Sequence, residues 1–439
     1  MSSLTALLAC VLTLAAPQPP EELRAAELWK DFTLPNGATL SVMPAPLAES
    51  QAFYLVLPLG FVLDGPGEVQ WAHVLEHVLL RAVDPDHDLV TTQGLRVAAE
   101  TTQSSLRLEV YAPPERWESA LQLLADWLSV AEVDATSLAL EKSRITQELV
   151  ARAPSGQTHK WAAAAWNQAV RHGAEHVRVS GALAELSAER VSQELLPRMQ
   201  LGPGAHLLSV GPADTELVMQ RVRDSLGVMT RGASSAPAPS ADPEAARDVR
   251  GRIVTWDISS RHYIEAFLLP DESAAERVAA DTLALLASQR VAQTPSLEQR
   301  GFRVSVAVDH LTPEGRWFVL SSPLPQGQSL ETLRTAFRQL LTSIQGAPET
   351  PIALDAMRQD LTVWPDFPAL RREHAGNPQL REVEMRQALF LFYAQLNMGL
   401  SLESLVEVYA TLDREVVDAL ARRLFRETNR SSLLLKPRD

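Results

Sequence analysis

The run WAHVLEHVLL, Trp71 to Leu80, sets His73, Glu76 and His77 among apolar residues. On an α-helix, positions i, i+3 and i+4 share a face, so these three groups project together while Val74, Leu75, Val78 and Leu79 turn toward a core. Burying them is costly unless something compensates. Two imidazoles one turn apart can bind a single Zn²⁺, and the glutamate between them can take a proton from a water that the metal activates. A catalytic zinc takes three protein ligands and keeps one open position. The segment DATSLALEKSRITQELVARA supplies Glu141 and Glu148, seven residues apart and so about two turns along one helical face. Glu148 is the better third ligand, with Glu141 behind it, where a carboxylate orients or polarises the ligands. A solvated helix face is the plainer alternative for both glutamates, because Lys142 and Arg144 flank Glu141.

A second match to His-x-x-Glu-His, HGAEH at His172–His176, has different surroundings. It contains Gly173, no apolar run follows it, and no glutamate lies near the 71-residue offset that separates Glu148 from His77. It reads as a loop beside a helix end. His159, His172, His176 and His310 read as surface or satisfied histidines. Trp161, Trp166, Trp317 and Trp364 read as packing residues, and Trp71 as one that packs under the histidine helix. Cys10 is the one cysteine, so no disulfide forms within this sequence and any metal falls to His and carboxylates.

At 439 residues the chain exceeds what one hydrophobic core usually serves, and two or more domains are expected. A composition 46% hydrophobic and 21% charged is that of a soluble globular protein. The formal charge of −14 argues against wrapping nucleic acid, which draws on clustered Lys and Arg. No internal run is long enough to span a membrane. Residues 1–20 carry an apolar stretch, Leu4 to Ala16, followed by prolines and acids, the build of a secretory signal peptide. Export to the periplasm or beyond is therefore expected. Cys10 within LLAC loosely resembles a lipoprotein cleavage box, so lipid anchoring there is the less favoured alternative.

One stretch stands apart from the rest: residues 230–252 are rich in Ala, Ser and Pro with no apolar period, as in a linker. The same plan is written on either side of it, in 21–229 and 253–439. Before the linker, alternating segments at Ala38–Met43 and Ala52–Leu63 predict strands, followed by a helix over Glu68–Ala82. A hairpin over Leu95–Ala112 comes next, then helices near Pro114–Val130 and Asp134–Ala153, a strand in GAHLLSVGPAD and a closing helix. After it, RIVTWDI and YIEAFLLP, a long helix from Ser273, the pair FRVSVAV and RWFVLSS, more helices, and a final strand SSLLLKP repeat that order. The expected class is α+β in two homologous halves, each an antiparallel sheet with helices on one face.

With these residues in place, the chain resembles the pitrilysin/insulinase family of zinc metallopeptidases, whose His-x-x-Glu-His motif inverts the commoner zincin order. It is most similar to the mitochondrial-processing-peptidase-like members. The likeness runs from TLPNGATLSVMP through GFVLDGPGEVQWAHVLEHVLL and LEKSRITQELVARA to LSAERVSQELLPRMQLGPGAHLLSVGPAD, and is weaker after the linker. It implies that His73, His77 and Glu148 bind zinc, that Glu76 is the general base, and that Glu141 supports the site. It also implies a clamshell of two α+β halves that encloses an unfolded peptide, laid extended along a sheet edge.

Two departures bear on that implication. Where the family has Asn-Ala-x-Thr on its edge strand, this chain has Ala98, Ala99, Glu100 and Thr101. Where active members carry an Arg and a Tyr in the second half, LEQRGFRV places Leu297 and Val304. Neither can donate a hydrogen bond to a developing oxyanion. The expectation is a zinc endopeptidase that needs a homologous partner chain, in a heterodimer or a homodimer, to supply the pair. The alternative is a non-catalytic relative that holds peptides or supports an assembly.

Overall fold

The computed structural model describes residues 29–46, 48–85, 88–152, 159–229, 251–257, 260–269, 273–312, 315–355 and 378–438. Residues 1–20 with Cys10, residues 230–250 of the expected linker, and Trp364 lie outside these. The first sheet holds β1 (Lys30–Thr33), β2 (Thr39–Pro44), β3 (Gln51–Leu57), β4 (Arg96–Thr101), β5 (Leu106–Ala112) and β7 (His206–Gly211) in the order β1-β2-β7-β3-β5-β4. The second holds β6 (His176–Val177), β8 (Arg252–Trp256), β9 (His262–Leu268), β10 (Ser305–Thr312), β11 (Gly315–Pro323) and β12 (Arg430–Pro437) in the order β6-β8-β12-β9-β11-β10. Position for position the orders match, which is the duplication expected from the sequence.

The sheets are mixed where antiparallel sheets were expected: β2 runs parallel to β7, and β8 runs parallel to both β12 and β6. Short connections make β2 and β3 run in opposite directions, as they do β8 and β9. A closing strand inserted between such a pair must be parallel to one of them. The strand expected over Ala52–Leu63 stops at Leu57, because Pro58 has no N–H to give a ladder. The chain then turns through Phe61–Leu63, with the Phe61 and Val62 N–H groups donating to the carbonyls of Thr102 and Gln103. Gly60 is obligatory in this turn: a Cβ there would lie 2.3 Å from the Gln103 carbonyl oxygen.

Helices α1 (Trp71–Val83), α2 (Trp117–Leu128), α3 (Ala135–Arg152), α4 (His159–Val170), α5 (Val179–Glu185) and α6 (Thr215–Ser225) belong to the first half. In the second come α7 (Ala274–Ala292), α8 (Leu330–Ile344), α9 (Pro378–Met398) and α10 (Arg414–Leu424). Capping chemistry that is visible in the sequence starts several of them. Ser273 and Glu276 form a capping box on α7, and the side chains of Asp214, Ser329 and Asp413 cap α6, α8 and α10.

Both faces of each sheet are covered, which explains why β3 is buried at all seven positions. Phe53, Leu55 and Leu57 join a core with α1 and α2, while Tyr54 and Val56 join the core built around α7 and α9 of the second half. The exchange is reciprocal. From the second half, α9 lies on the first sheet, with the Tyr393 hydroxyl donating to Glu109 at 3.4 Å. From the first half, α4 lies against the second sheet, where Trp166 meets Trp317 edge-on with ring centroids 5.9 Å apart. In addition β6 extends the second sheet, and Asp257 caps α5 by accepting from the Val179, Ser180 and Gly181 N–H groups.

Because the halves share their cores, they unfold together: chemical denaturation followed by tryptophan fluorescence and by far-UV circular dichroism gives one coincident transition. Trp166→Ala, which empties the fully buried contact with Trp317, lowers stability by about 3–5 kcal/mol. Glu265 is 1% exposed and accepts from the Tyr263 hydroxyl at 3.0 Å. Burial holds its carboxyl above the ordinary 4.5, so the fold favours the neutral acid. The stability contributed there is complete below pH 4.5 and is lost as pH rises through the elevated value. Glu265→Gln removes this part of the pH dependence, which denaturation midpoints measured across the acidic range detect.

Candidate metal centre

α1 places its polar groups where the periodicity puts them. His73 is 4% exposed and stacks edge-on against His77, with ring centroids 4.7 Å apart. His73, Glu76 and His77 each offer a ligand atom, and these atoms lie within 4.8 Å of one another. This is the one group of three His, Cys, Asp or Glu that converges so closely among the described residues, and Glu148 stands just outside it. Val74, Leu75, Val78 and Leu79 occupy the opposite, buried side.

Glu148 approaches from α3. Its Oε1 is 3.6 Å from His77 Nε2 and its Oε2 is 4.0 Å from His73 Nε2, so the carboxylate faces both imidazoles across a small gap. Two ligands about 2.0–2.1 Å from a tetrahedral zinc are themselves about 3.3 Å apart. Both separations exceed that spacing, so Glu148 faces the two imidazoles at slightly more than ligand distance; two imidazoles and a carboxylate are a donor set that could hold zinc. Glu76 stands beside them as a fourth group.

Glu141, 2% exposed, stands behind His77, with Oε2 3.1 Å from His77 Nδ1. An acceptor there places the proton on Nδ1 and leaves the Nε2 lone pair directed toward Glu148. Arg144 donates to the other oxygen of Glu141 at 2.8 Å, and the Arg81 Nε lies 3.8 Å from it. The Lys142 ammonium turns away and donates to the carbonyls of Ala184 and Leu186. Of the flanking bases, then, Arg144 compensates the buried carboxylate and Lys142 does not.

Glu76 is held by a residue whose contact with it was not foreseen from sequence. Thr101, at the end of β4, donates both its backbone N–H and its Oγ1–H to Glu76 Oε2, each at 2.7 Å. The two donors fix the carboxylate in place. The only sequence signal was Thr101's position in the edge-strand pattern, because the contact spans 25 residues of chain.

The entry to α1 is equally constrained. Asp64, 3% exposed, accepts from the N–H groups of Gln70 and Ala72 and so caps the helix. Burial raises its carboxyl well above the usual range. Gln70 adopts φ +73°, a left-handed conformation that costs a non-glycine residue energy and marks a backbone held by its surroundings. The preceding loop is gripped from α4 and the turn after it. Asn167 donates to the Phe61 carbonyl, Gln168 bridges Gly65 and Gly67, Arg171 donates to the Val62 carbonyl, and His172 lies 3.1 Å from the Asp64 carbonyl. His172 thus belongs to this clamp, and His176 stands on β6 at the far sheet. The HGAEH motif is the loop beside a helix end that its glycine suggested. Trp71 is buried, with the Arg190 guanidinium 4.4 Å above its ring. Leu297 and Val304 pack into the second half's core.

No protein-family model matches the sequence, and no curated protein matches it. Solved structures do match its fold. A protease from Helicobacter pylori superimposes with a TM-score of 0.69 at 15% identity, over 93% of this chain and 99% of that one. The peptidase M16 inactive domain from Pseudomonas fluorescens gives 0.58 at 15% identity, over 94% and 98%. The periplasmic protease PqqL from Escherichia coli gives 0.58 at 14% identity, over 95% of this chain and 48% of that one. The chain has the fold of these proteins. At such identities the likeness establishes architecture and leaves the chemistry to the side chains.

Glu141→Gln keeps the size of the side chain but weakens the acceptor behind His77. It lowers Zn²⁺ affinity about 10–100-fold, measured by competition with a chromogenic chelator, while the far-UV spectrum is unchanged.

Proposed function

We propose that the chain is a zinc-dependent endopeptidase of the M16, pitrilysin-like kind, acting on peptides or unfolded segments. The observation that carries this reading is the approach of Glu148 to both His73 and His77, from a different helix, beside a glutamate fixed by two donors. His73, His77 and Glu148 would hold the ion, which when bound would polarise a carbonyl and acidify water. Glu76 is the general base: anchored through Oε2 to Thr101, it accepts the proton from the attacking water and later delivers it to the leaving amine. Glu141 holds the His77 ring and its proton in place.

β4 ends at Thr101 and so runs directly to Glu76. It is the edge of the first sheet, with no strand on its outer side among the described residues, and most of its positions are at least partly exposed. An extended peptide added to that edge by backbone hydrogen bonding would bring its carbonyls past the metal centre. The missing Asn amide at Ala98 and the apolar Leu297 and Val304 leave substrate gripping incomplete within the chain. A homologous partner chain, or a second copy, would complete it. In support, the chain spans about half of PqqL. The leader-like residues 1–20 and the periplasmic setting of PqqL support export, with anchoring at Cys10 the lesser alternative.

A second reading, a non-catalytic subunit that retains the fold, draws on the same missing groups and on the likeness to an inactive domain. Glu76→Gln separates the two. With stoichiometric zinc retained by elemental analysis, the variant loses peptide cleavage by roughly 10²–10⁴-fold. Cleavage that is absent from the wild-type chain, both alone and with its partner, would instead favour the scaffold. Thr101→Val, which removes one of the two donors to Glu76, lowers kcat by roughly tenfold or more while leaving zinc content unchanged.

A further inference from the structure

Gln70 enters α1 with a left-handed backbone that its own side chain does nothing to secure. The residue is fully buried, and neither its amide nitrogen nor its amide oxygen has a hydrogen-bond partner among the described residues. A residue other than glycine keeps φ +73° only where its surroundings over-determine the backbone. The constraint therefore comes from the loop ahead of it, residues 61–69, and α4 grips that loop. Asn167, 0% exposed, donates from Nδ2 to the carbonyls of Phe61 and Asp64 at 3.1 and 3.3 Å. Gln168 spans the outer turn of the loop: its Oε1 accepts from the Gly67 N–H at 3.0 Å, and its Nε2 donates to the Gly65 carbonyl at 2.9 Å. Gly67 is exposed and itself left-handed, with no atom packed where a Cβ would stand, so the buried amide of Gln168 supplies a restraint that packing does not. α4 rests in turn on the second sheet through Trp166 and Trp317, and Arg252 of β8 donates to the Gly173 carbonyl just beyond the helix end, at 3.0 Å.

We infer that Gln168 is a positioning residue of the metal centre. It fixes the turn at Gly65–Gly67, and through that turn the left-handed entry that sets where the first turn of α1 lies. His73 follows Gln70 by three residues, whereas Glu148 comes from a separate helix. A shift in the start of α1 thus changes the gaps of 3.6 and 4.0 Å across which the imidazoles face Glu148. Because α4 carries Gln168, its seating on the second sheet tunes the affinity of a site that lies wholly in the first half. This role rests on the metal-centre reading above and deepens it.

The test uses the full chain. Zinc affinity, measured by competition with a chromogenic chelator where every variant is folded, falls roughly 3- to 30-fold in Gln168→Met. Water can reach the partly exposed turn and replace the lost amide, so this variant keeps its fold. In the metal-free protein, hydrogen exchange in peptides covering residues 61–74 quickens in the same variant. Phe337→Leu, in the second half's core against Tyr263, is the control: it lowers the denaturation midpoint and leaves zinc affinity as in wild type. Trp317→Leu also weakens zinc binding, but less in the Gln168→Met background than in wild type, since both act through α4. A Gln168→Met protein with wild-type zinc affinity, or with a loss that Phe337→Leu matches, overturns the role of Gln168 and leaves the metal centre intact. Equal losses from Trp317→Leu in both backgrounds overturn the link to the second sheet. A wild-type chain that binds no zinc removes the metal-centre reading and the role of Gln168 with it.

Discussion

The contact between α1 and α3 governs this structure, because His73, Glu76, His77, Glu141 and Glu148, five ionisable side chains, meet there in a largely apolar setting. Taking such groups out of water costs more than apolar packing alone returns unless each finds a counterpart. Glu141 finds His77 and Arg144, and Glu76 finds both donors of Thr101. His73 and His77 face the two oxygens of Glu148. Remove any one and its neighbours keep their desolvation cost without their compensation. The spacing of the helices is thus set by polar closure as well as by the side chains that pack around it.

That closure depends on the second half of the chain. Trp317 on β11 supports Trp166 on α4, and Asn167 and Gln168 of the same helix hold the loop that ends in Asp64, the cap of α1. A continuous path of packed and hydrogen-bonded groups therefore runs from the second sheet to the first turn of the histidine helix. The left-handed Gln70 at its end is the backbone conformation that such an over-determined entry can sustain. The halves are homologous in plan but not independent, since each covers a face of the other's sheet.

The edge strand carries different chemistry on its two faces. β4 is short, only partly buried and bordered by one strand, whereas the central β3 is covered on both faces. One of its faces carries the hydroxyl that anchors Glu76, and the other carries the charges at Arg96 and Glu100. Strand alternation alone separates these groups, so Thr101 and Glu100 face opposite sides of the sheet although they are adjacent in sequence.

Periodicity made much of this legible. The 3.6-residue repeat in WAHVLEHVLL put His73, Glu76 and His77 on one face, and the seven-residue interval placed Glu141 and Glu148 together, because these relations are local to a single helix. The repeated order of strands and helices was legible for the same reason. What no local pattern could specify was anything joining distant segments: the parallel closing strands, the exchange of α4 and α9, the choice of Arg144 over Lys142 as the counterion, and the two bonds from Thr101 to Glu76. Those depend on which surfaces remain to be covered once each helix and strand has formed, and only the packed chain decides that.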